Sequence, residues 1–252
     1  MKEYRSALIA ALLLWSAISL QAEKVALIQV NGAISPATAG YISRGIDKAV
    51  SENAQCLILQ LDTPGGLLDS TKDIVQSFYR SGVPVVVYVA PSGANATSAG
   101  CFITLASDVA AMAPNTSIGA AHPVAIGSGG GAEKLDEVMK QKLQNFAVSY
   151  IEAIAQKRGR NVQWAKSAVR ESASITAETA LATNVIEIIA QDLPDLRKQL
   201  DGRMVKGRTL KTATAEVWEI RMTTREWVFQ MLWRPEMLMI LMLLPSTASS
   251  AN

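Results

Sequence analysis

Short, continuous apolar runs alternate with longer amphipathic segments along most of this chain. Such runs are typical of strands buried on both faces, and the spacing between them is typical of helices with one apolar face. The predicted strands are Lys24–Val30, Cys56–Leu61, Pro84–Ala90, Val109–Ala113 and Val185–Ile189. The predicted helices follow Ser35 and Ser98 (the second ending near Ala106) and run over Leu67–Tyr79, about Glu133–Lys157, Asn161–Ser172 and Thr176–Thr183. The alternation predicts an α/β domain with a largely parallel β-sheet flanked by helices.

The N-terminal end has the composition of an export signal. Lys2 and Arg5 precede the apolar run Ala7–Trp15, and Ser19-Leu20-Gln21-Ala22 then offers a small-residue cleavage site. This order of basic, apolar and small residues predicts a signal peptide over residues 1–22. The alternative is an uncleaved membrane anchor, although the apolar run is short for a membrane span.

Beyond the leader, the pattern divides the chain into three parts. We expect a globular domain over residues 23–202, a linker and membrane-proximal segment over 203–236, and an incomplete, truncated transmembrane region over 237–252. Tryptophans beside arginines precede the apolar run Met237–Leu244, as at a membrane interface, but this run is far shorter than the roughly 20 residues of a span. The sequence therefore predicts an exported protein at the periplasmic or extracytoplasmic face of a membrane.

Composition narrows the partners and the chemistry. The formal net charge is only +2, so there is no basic footprint for nucleic acid. Cys56 opens an apolar run and Cys101 closely follows Ser98, so we expect buried free thiols even though export would permit a disulfide. Two cysteines and the single histidine do not suffice for a zinc site, and no metal or other cofactor is predicted.

The strongest chemical signal is a serine at a strand-to-helix turn. Ser98 lies between small residues after a predicted strand, where a substrate carbonyl could approach its hydroxyl and where the N–H of Ala99 would point outward. Gly65 and Gly66 follow another predicted strand and could present their N–H groups to an oxyanion. Each motif alone is commonly an ordinary turn. Their joint occurrence after two strands of one sheet indicates a hydrolase-like site.

A serine nucleophile needs a proton acceptor, and two residues are candidates. His122 lies in a small-residue loop before the glycine-rich segment Ala125–Ala132, with no orienting partner at readable spacing. Lys142 falls on the apolar face of the long helix between Val138 and Phe146, where partial desolvation would favour the neutral amine that a base requires. The alternative for Lys142 is a side chain that extends to solvent at the edge of this face.

Together these residues resemble the membrane-associated serine proteases of the NfeD family. The resemblance covers about residues 25–190. The segments that carry it are Asp62-Thr63-Pro64-Gly65-Gly66, Ala96-Thr97-Ser98-Ala99-Gly100, Ile118-Gly119-Ala120-Ala121-His122-Pro123, Lys142-Leu143-Gln144-Asn145, Arg158-Gly159-Arg160-Asn161 with Trp164-Ala165, Ala168-Val169-Arg170, and Thr176-Ala177-Glu178 with Ala180-Leu181. Each segment alone is weak evidence for the resemblance, but all seven in this order are specific for the family.

The resemblance implies a ClpP/crotonase-like fold and a Ser-Lys dyad formed by Ser98 and Lys142. It places the oxyanion donors on the backbone of Gly65, Gly66 and Ala99. It further implies a homo-oligomeric endopeptidase that cuts apolar segments of membrane proteins, with stomatin- or prohibitin-like proteins as substrates or partners. Family members usually continue into several transmembrane helices, of which residues 237–252 are expected to be only an incomplete part.

Three other functions compete with this expectation. A scaffold could retain the fold and bind stomatin-like proteins without catalysis. A signal-peptide peptidase of the SppA type has a similar fold and Ser-Lys chemistry, usually in longer, duplicated chains. A crotonase acting on CoA thioesters shares the oxyanion geometry, although export and the serine at the turn argue against it.

Overall fold

The structure, a computed structural model, describes residues 23–123 and 137–232. Their strands are β1 (Lys24–Asn31), β2 (Leu57–Asp62), β3 (Val85–Val89), β4 (Asn95–Thr97), β5 (Val109–Met112), β6 (Ser117–Gly119), β7 (Ser174–Thr176), β8 (Ile188–Ile189), β9 (Met204–Val205), β10 (Arg208–Thr209) and β11 (Glu216–Glu219). Their helices are α1 (Pro36–Ser51), α2 (Leu68–Arg80), α3 (Ala99–Ala106), α4 (Glu137–Arg158), α5 (Val162–Arg170), α6 (Ala177–Ala182), α7 (Leu193–Leu200) and α8 (Thr224–Leu232). The predicted signal, glycine-rich segment and C-terminal apolar run lie outside the described residues.

The main sheet has the strand order β11-β1-β2-β3-β5-β8, and each neighbouring pair is parallel. A smaller sheet, β4-β6-β7, begins beside the carboxyl end of β2, where Thr63 forms an isolated bridge with Ala96. The predicted α/β fold with a largely parallel sheet is therefore confirmed. Parallel strands carry their carboxyl ends to one edge, so the loops after β2 and β3 lie on the same side of the sheet.

The two faces of the sheet are buried in separate apolar clusters. Leu59 and Val87 belong to the cluster shared with helices α1 to α6, whereas Ile58 and Val86 belong to the cluster shared with α7. Burial of alternate residues on opposite faces explains why these strands read as continuous apolar runs. The helix-rich face carries the larger cluster.

Several local predictions agree with the structure. Ser35 and Thr176, where two of the predicted helices begin, are the N-caps of α1 and α6, and their side chains accept hydrogen bonds from the Thr38 N–H and the Thr179 N–H. Cys56 and Cys101 are buried free thiols, as predicted. Burial raises the pKa of both thiols, Cys56 to about 12, so neither resembles the low-pKa thiol of a nucleophilic cysteine.

The described part of the chain stays folded beyond the predicted boundary at Gly202. Strand β11 pairs with β1 as an edge strand, and α8 packs on α1. The Tyr41 hydroxyl donates to the carbonyl of Ile220 at 2.6 Å. Strand β11 has only four residues and is not fully buried, so it gives little apolar periodicity to read.

A buried arginine fixes the carboxyl end of α3. Arg160 donates to the carbonyls of Thr104, Leu105 and Ser107 at 3.3, 2.6 and 3.0 Å. Its side chain is only 1% exposed and also pairs with Glu187 at 2.7 Å. Carbonyls at a helix C-terminus lack intrahelical donors, so this guanidinium satisfies three of them at once. The helix that follows Ser98 is thereby held at its far end.

We predict that Tyr41→Phe lowers the free energy of unfolding by about 1–2 kcal/mol, because the buried carbonyl of Ile220 loses its donor. Urea unfolding measures the change, and limited proteolysis should show earlier cleavage of the segment after Gly202. Tyr150→Phe is the matched control, because no described residue forms a hydrogen bond with the Tyr150 hydroxyl. Equal unfolding midpoints for Tyr41→Phe and wild type would contradict a stabilising role for this contact.

Candidate active site

Ser98 occupies a strained elbow between β4 and α3. Its φ and ψ are 53° and −114°, and it takes the N-cap position of α3 without a side-chain capping bond. A positive φ at a residue with a side chain costs about 1–3 kcal/mol and is typical of functional turns. The backbone is held by hydrogen bonds from Ser98 N to Gly119 O and from Cys101 N to Ser98 O, both of 3.0 Å. The hydroxyl has no hydrogen-bond partner among the described residues.

The small residues around Ser98 are required by close packing. A Cβ on Gly65 would lie 2.7 Å from the Ser98 Cβ, and Gly65 has a φ of +123°. A Cβ on Gly100 would lie 2.6 Å from the Thr63 Cγ2. Contacts this short are too close for a side chain, so β2 and its loop pass directly against the elbow.

Two backbone N–H groups beside Ser98 have no acceptor within the described part of the chain. They belong to Gly66 and to Ala99, the first residue of α3. The N–H of Gly65 instead donates to the Thr63 Oγ1 at 3.1 Å. Unpaired N–H groups at a loop and a helix start are suited to binding an oxyanion. The geometry therefore favours Gly66 and Ala99 as the donors.

An apolar pocket with a cavity volume of about 260 Å³ opens next to Ser98. Residues from α2, α3, α4 and the loops after β2 and β6 form its wall. They are Gly66, Leu67, Leu68, Thr71, Ser98, Ala99, Phe102, Ala121, Pro123, Leu143 and Ala147. A pocket of this size and lining suits one apolar side chain of a peptide, with the neighbouring carbonyl held near the serine hydroxyl.

Lys142 is exposed and does not line this pocket, whereas the next residue, Leu143, does. The predicted apolar neighbours Val138 and Phe146 are 55% and 44% exposed, so the expected desolvation of the lysine is not seen in this chain. The buried side of α4 begins at Ala147, and the first half of the helix extends past the core. Helical periodicity identified an apolar face but not how far the core beneath it reaches.

His122, the other candidate base, does not line this pocket either. It is exposed, and its Nδ1 lies 3.0 Å from the carbonyl oxygen of Val169, which it can reach as an N–H donor. Its neighbours Ala121 and Pro123 line the pocket, but the imidazole does not. These contacts are consistent with a structural role for the histidine in this loop.

Most of the pocket wall is not predicted from the sequence. Phe102 belongs to an aromatic series in which its ring centroid lies 5.9 Å from that of Tyr150, which in turn lies 5.9 Å from that of Phe146. This series connects α3 to α4, and burial raises the pKa of Tyr150 to about 12. The only available signal was spacing, since Leu143 and Ala147 are one helical turn apart. No cluster of three or more potential metal-ligating side chains occurs in residues 23–123 and 137–232.

The parallel sheet, the elbow and the pocket define a protein with the ClpP-like fold. ClpP1 from Listeria monocytogenes superposes with a TM-score of 0.52 at 16% identity, covering 66% of this chain and 91% of that one. Residues 24–196 match the N-terminal domain of NfeD1b, and the chain belongs to this family.

A curated relative and a solved structure are closer in sequence to this chain than ClpP1 is. The membrane-bound protease PH1510 of Pyrococcus horikoshii is 39% identical over 184 residues, covering 72% of this chain and 41% of that protein. The chain thus spans about two fifths of this curated relative. A solved lysine-to-alanine mutant of the 1510-N membrane-bound stomatin-specific protease, in complex with a substrate peptide, has a TM-score of 0.77 and 34% identity, with 84% of this chain and 99% of that chain covered.

We predict that Gly66→Ala destabilises the protein by at least about 1–3 kcal/mol, because the new Cβ would lie 2.1 Å from the backbone oxygen of Ile34. Thermal unfolding measures the loss. Gly40→Ala is the matched control, since its Cβ would meet nothing within 4 Å, and alanine in a helix should raise stability by about 0.5–1 kcal/mol. Equal stability of the Gly66 variant and wild type would show that the approach of Ile34 is not tight.

Proposed function

We propose that this chain is an exported serine endopeptidase with Ser98 as the nucleophile and Lys142 as the general base. The observation that carries the proposal is the Ser98 elbow, where an uncommitted hydroxyl meets an apolar pocket and two unpaired N–H groups. Membership of the NfeD1b family supports it, as does the similarity to a relative named as a protease.

In the proposed reaction, the Ser98 Oγ attacks the scissile carbonyl and its proton passes to the neutral amine of Lys142. The carbonyl oxygen becomes an oxyanion that accepts hydrogen bonds from the N–H groups of Gly66 and Ala99. The protonated lysine then donates to the departing amine, leaving an acyl-enzyme on Ser98. Water, deprotonated by the same lysine, releases the second product.

Lys142 has to meet the serine from the exposed half of α4. The adjacent Leu143 already lines the pocket, so an extended lysine side chain can turn toward the pocket mouth without unfolding the helix. An apolar substrate segment lying over Leu143 would exclude water from the amine, which supplies the desolvation that the chain alone does not. The substrate therefore completes the environment of its own catalytic base.

The pocket supports a preference for apolar residues in the substrate. Leu68, Phe102 and Leu143 contribute apolar wall, and no charged side chain lines the cavity in the described residues. We infer that the substrates are apolar segments of membrane proteins such as stomatin-like partners. The similarity to a protease named as stomatin-specific supports this class.

A catalytically silent scaffold that binds such segments is the second candidate. The exposed position of Lys142, outside the pocket wall, is the observation that favours it. A scaffold would use the same apolar pocket for binding but would not need the strained backbone at Ser98. A protease therefore depends on the Ser98 hydroxyl and the Lys142 amine, whereas a scaffold depends on neither.

We predict that Ser98→Ala abolishes peptide cleavage, with a loss of at least about a thousandfold, while the fold is retained. Lys142→Ala should lose about 10²–10⁴-fold, and Lys142→Arg should fail as well because a guanidinium stays protonated. The measurements are cleavage of an apolar peptide and labelling of the serine by a fluorophosphonate probe.

Two control variants separate these roles from surface effects. Lys140→Ala removes an exposed lysine that pairs with Glu137 and should change turnover less than about twofold. His122→Ala should retain far more activity than the Ser98 variant. Near-normal turnover by Lys142→Arg would exclude the lysine as base, and binding without any cleavage by wild type would favour the scaffold.

The C-terminal helix supports attachment of the domain to a membrane. No described helix is long and apolar enough to cross a bilayer. Helix α8, however, turns Glu226 and Gln230 toward the protein and leaves Trp227 and Phe229 55% and 54% exposed. This is the reverse of a soluble surface helix. We infer that α8 lies in the interface of a lipid bilayer at its extracytoplasmic face.

We predict that the double substitution Trp227→Ser and Phe229→Ser lowers partition of the full chain onto anionic lipid vesicles by about tenfold or more, because two large apolar side chains leave the interface. Sedimentation with vesicles measures the partition. Met204→Ser, at an exposed apolar residue on β9, is the matched control and should bind as wild type does. Equal partition of the double variant would contradict an interfacial position for α8.

A further inference from the structure

The C-terminal helix is connected to the loop that carries the proposed oxyanion donor. The connection begins at the side-chain amide of Gln230 on α8. Its Nε2 donates to the carbonyl of Ala33 at 2.8 Å, and its Oε1 accepts from the Ser35 Oγ at 2.7 Å. The Thr38 Oγ1 lies 2.8 Å from the same oxygen. One amide of α8 therefore ties down both the chain before α1 and the first turn of that helix.

The residue between these contacts, Ile34, holds the oxyanion loop. Its N–H donates to the carbonyl of Gly65 at 2.8 Å, and its carbonyl accepts from the N–H of Leu67 at 2.9 Å. These two bonds bracket Gly66, whose N–H is left without an acceptor in the described residues. A Cβ on Gly66 would approach the Ile34 oxygen to 2.1 Å, so the two backbones touch. A shift of Ile34 is therefore passed directly to Gly66.

A second contact of α8 lies away from this segment. Glu226 pairs with Arg44 through bonds of 2.8 and 2.6 Å, one helical turn before Gln230. This ion pair fastens α8 to α1 but does not contact residues 33–35. Glu226 therefore docks the helix on α1, whereas Gln230 supports the segment next to Gly66.

We propose that Gln230 is a positioning residue of the active site, which holds Ala33–Ser35 so that the Gly66 N–H points at the developing oxyanion. The inference rests on the proposed function and adds a dependence of catalysis on a helix far along the chain from Ser98. An oxyanion donor acts on the transition state and not on the bound substrate, so its misplacement lowers kcat and leaves KM unchanged. The docking of α8 through Gln230 is then coupled to the rate of the chemical step.

The test compares Gln230→Ala with Glu226→Gln in the full chain. Peptide cleavage gives kcat and KM, and hydrogen exchange at the Ile34 and Leu67 amides reports the bonds that bracket Gly66. We expect Gln230→Ala to lower kcat about tenfold or more with KM unchanged, and to speed exchange at these two amides. Glu226→Gln should loosen α8 and lower the unfolding temperature, with kcat reduced less than about threefold.

Failure of this proposal is distinguishable from failure of the proposed function. If wild type cleaves and Ser98→Ala does not, an unchanged kcat for Gln230→Ala overturns the positioning role alone. A rise in KM with kcat unchanged overturns it too, since that result indicates a binding or packing role. If wild type does not cleave, the proposed function fails. Exchange at Leu67 then decides the structural coupling, and an unchanged exchange rate overturns it.

Discussion

The site depends on the close approach of three backbone segments at Gly65 and Gly66. Gly65 lies against the side chain of Ser98, and Gly66 lies against the backbone of Ile34, with no space for a Cβ at either position. Because nothing larger fits, the loop after β2 cannot move without moving the serine elbow or the chain before α1. The positions of the proposed nucleophile, Ser98, and of the Gly66 N–H are therefore set by packing and not by flexible side chains.

This constraint also explains how the strained backbone of Ser98 persists. The positive φ is maintained by hydrogen bonds that fix both sides of the elbow, from Ser98 N to Gly119 O and from Cys101 N to Ser98 O. At the other end of α3, Arg160 binds three carbonyls and pairs with Glu187. A helix held at both ends cannot relax the turn that starts it. The strain remains local and keeps the hydroxyl out of a capping bond.

The sheet and half of the site could be predicted from sequence for a common physical reason. Strands buried on both faces read as continuous apolar runs, and parallel strands deliver their loops to one edge, so Ser98 and Gly66 were expected to be neighbours. The edge strand β11 and helix α8, whose large apolar side chains face away from the core, could not be predicted. Neither element shows apolar periodicity toward the core. The hydrogen bond from the Gly65 N–H to the Thr63 Oγ1 depends on the rotamer of Thr63, which cannot be predicted from the sequence alone.

The exposure of Lys142 could not be predicted from the sequence for a different reason, and this reason matters for the proposed mechanism. A helical pattern gives the direction of an apolar face, but burial depends on where the partner core ends, and here it ends near Ala147. Ser98 thus lies in the tightly packed part of the molecule, whereas Lys142 lies in the first half of α4, outside that part. In the proposed dyad, the core fixes the nucleophile, and the contacts made by residues 137–146 with substrate set the approach of the base. Catalysis would then require an occupied pocket, which limits cleavage to segments apolar enough to cover the first half of α4.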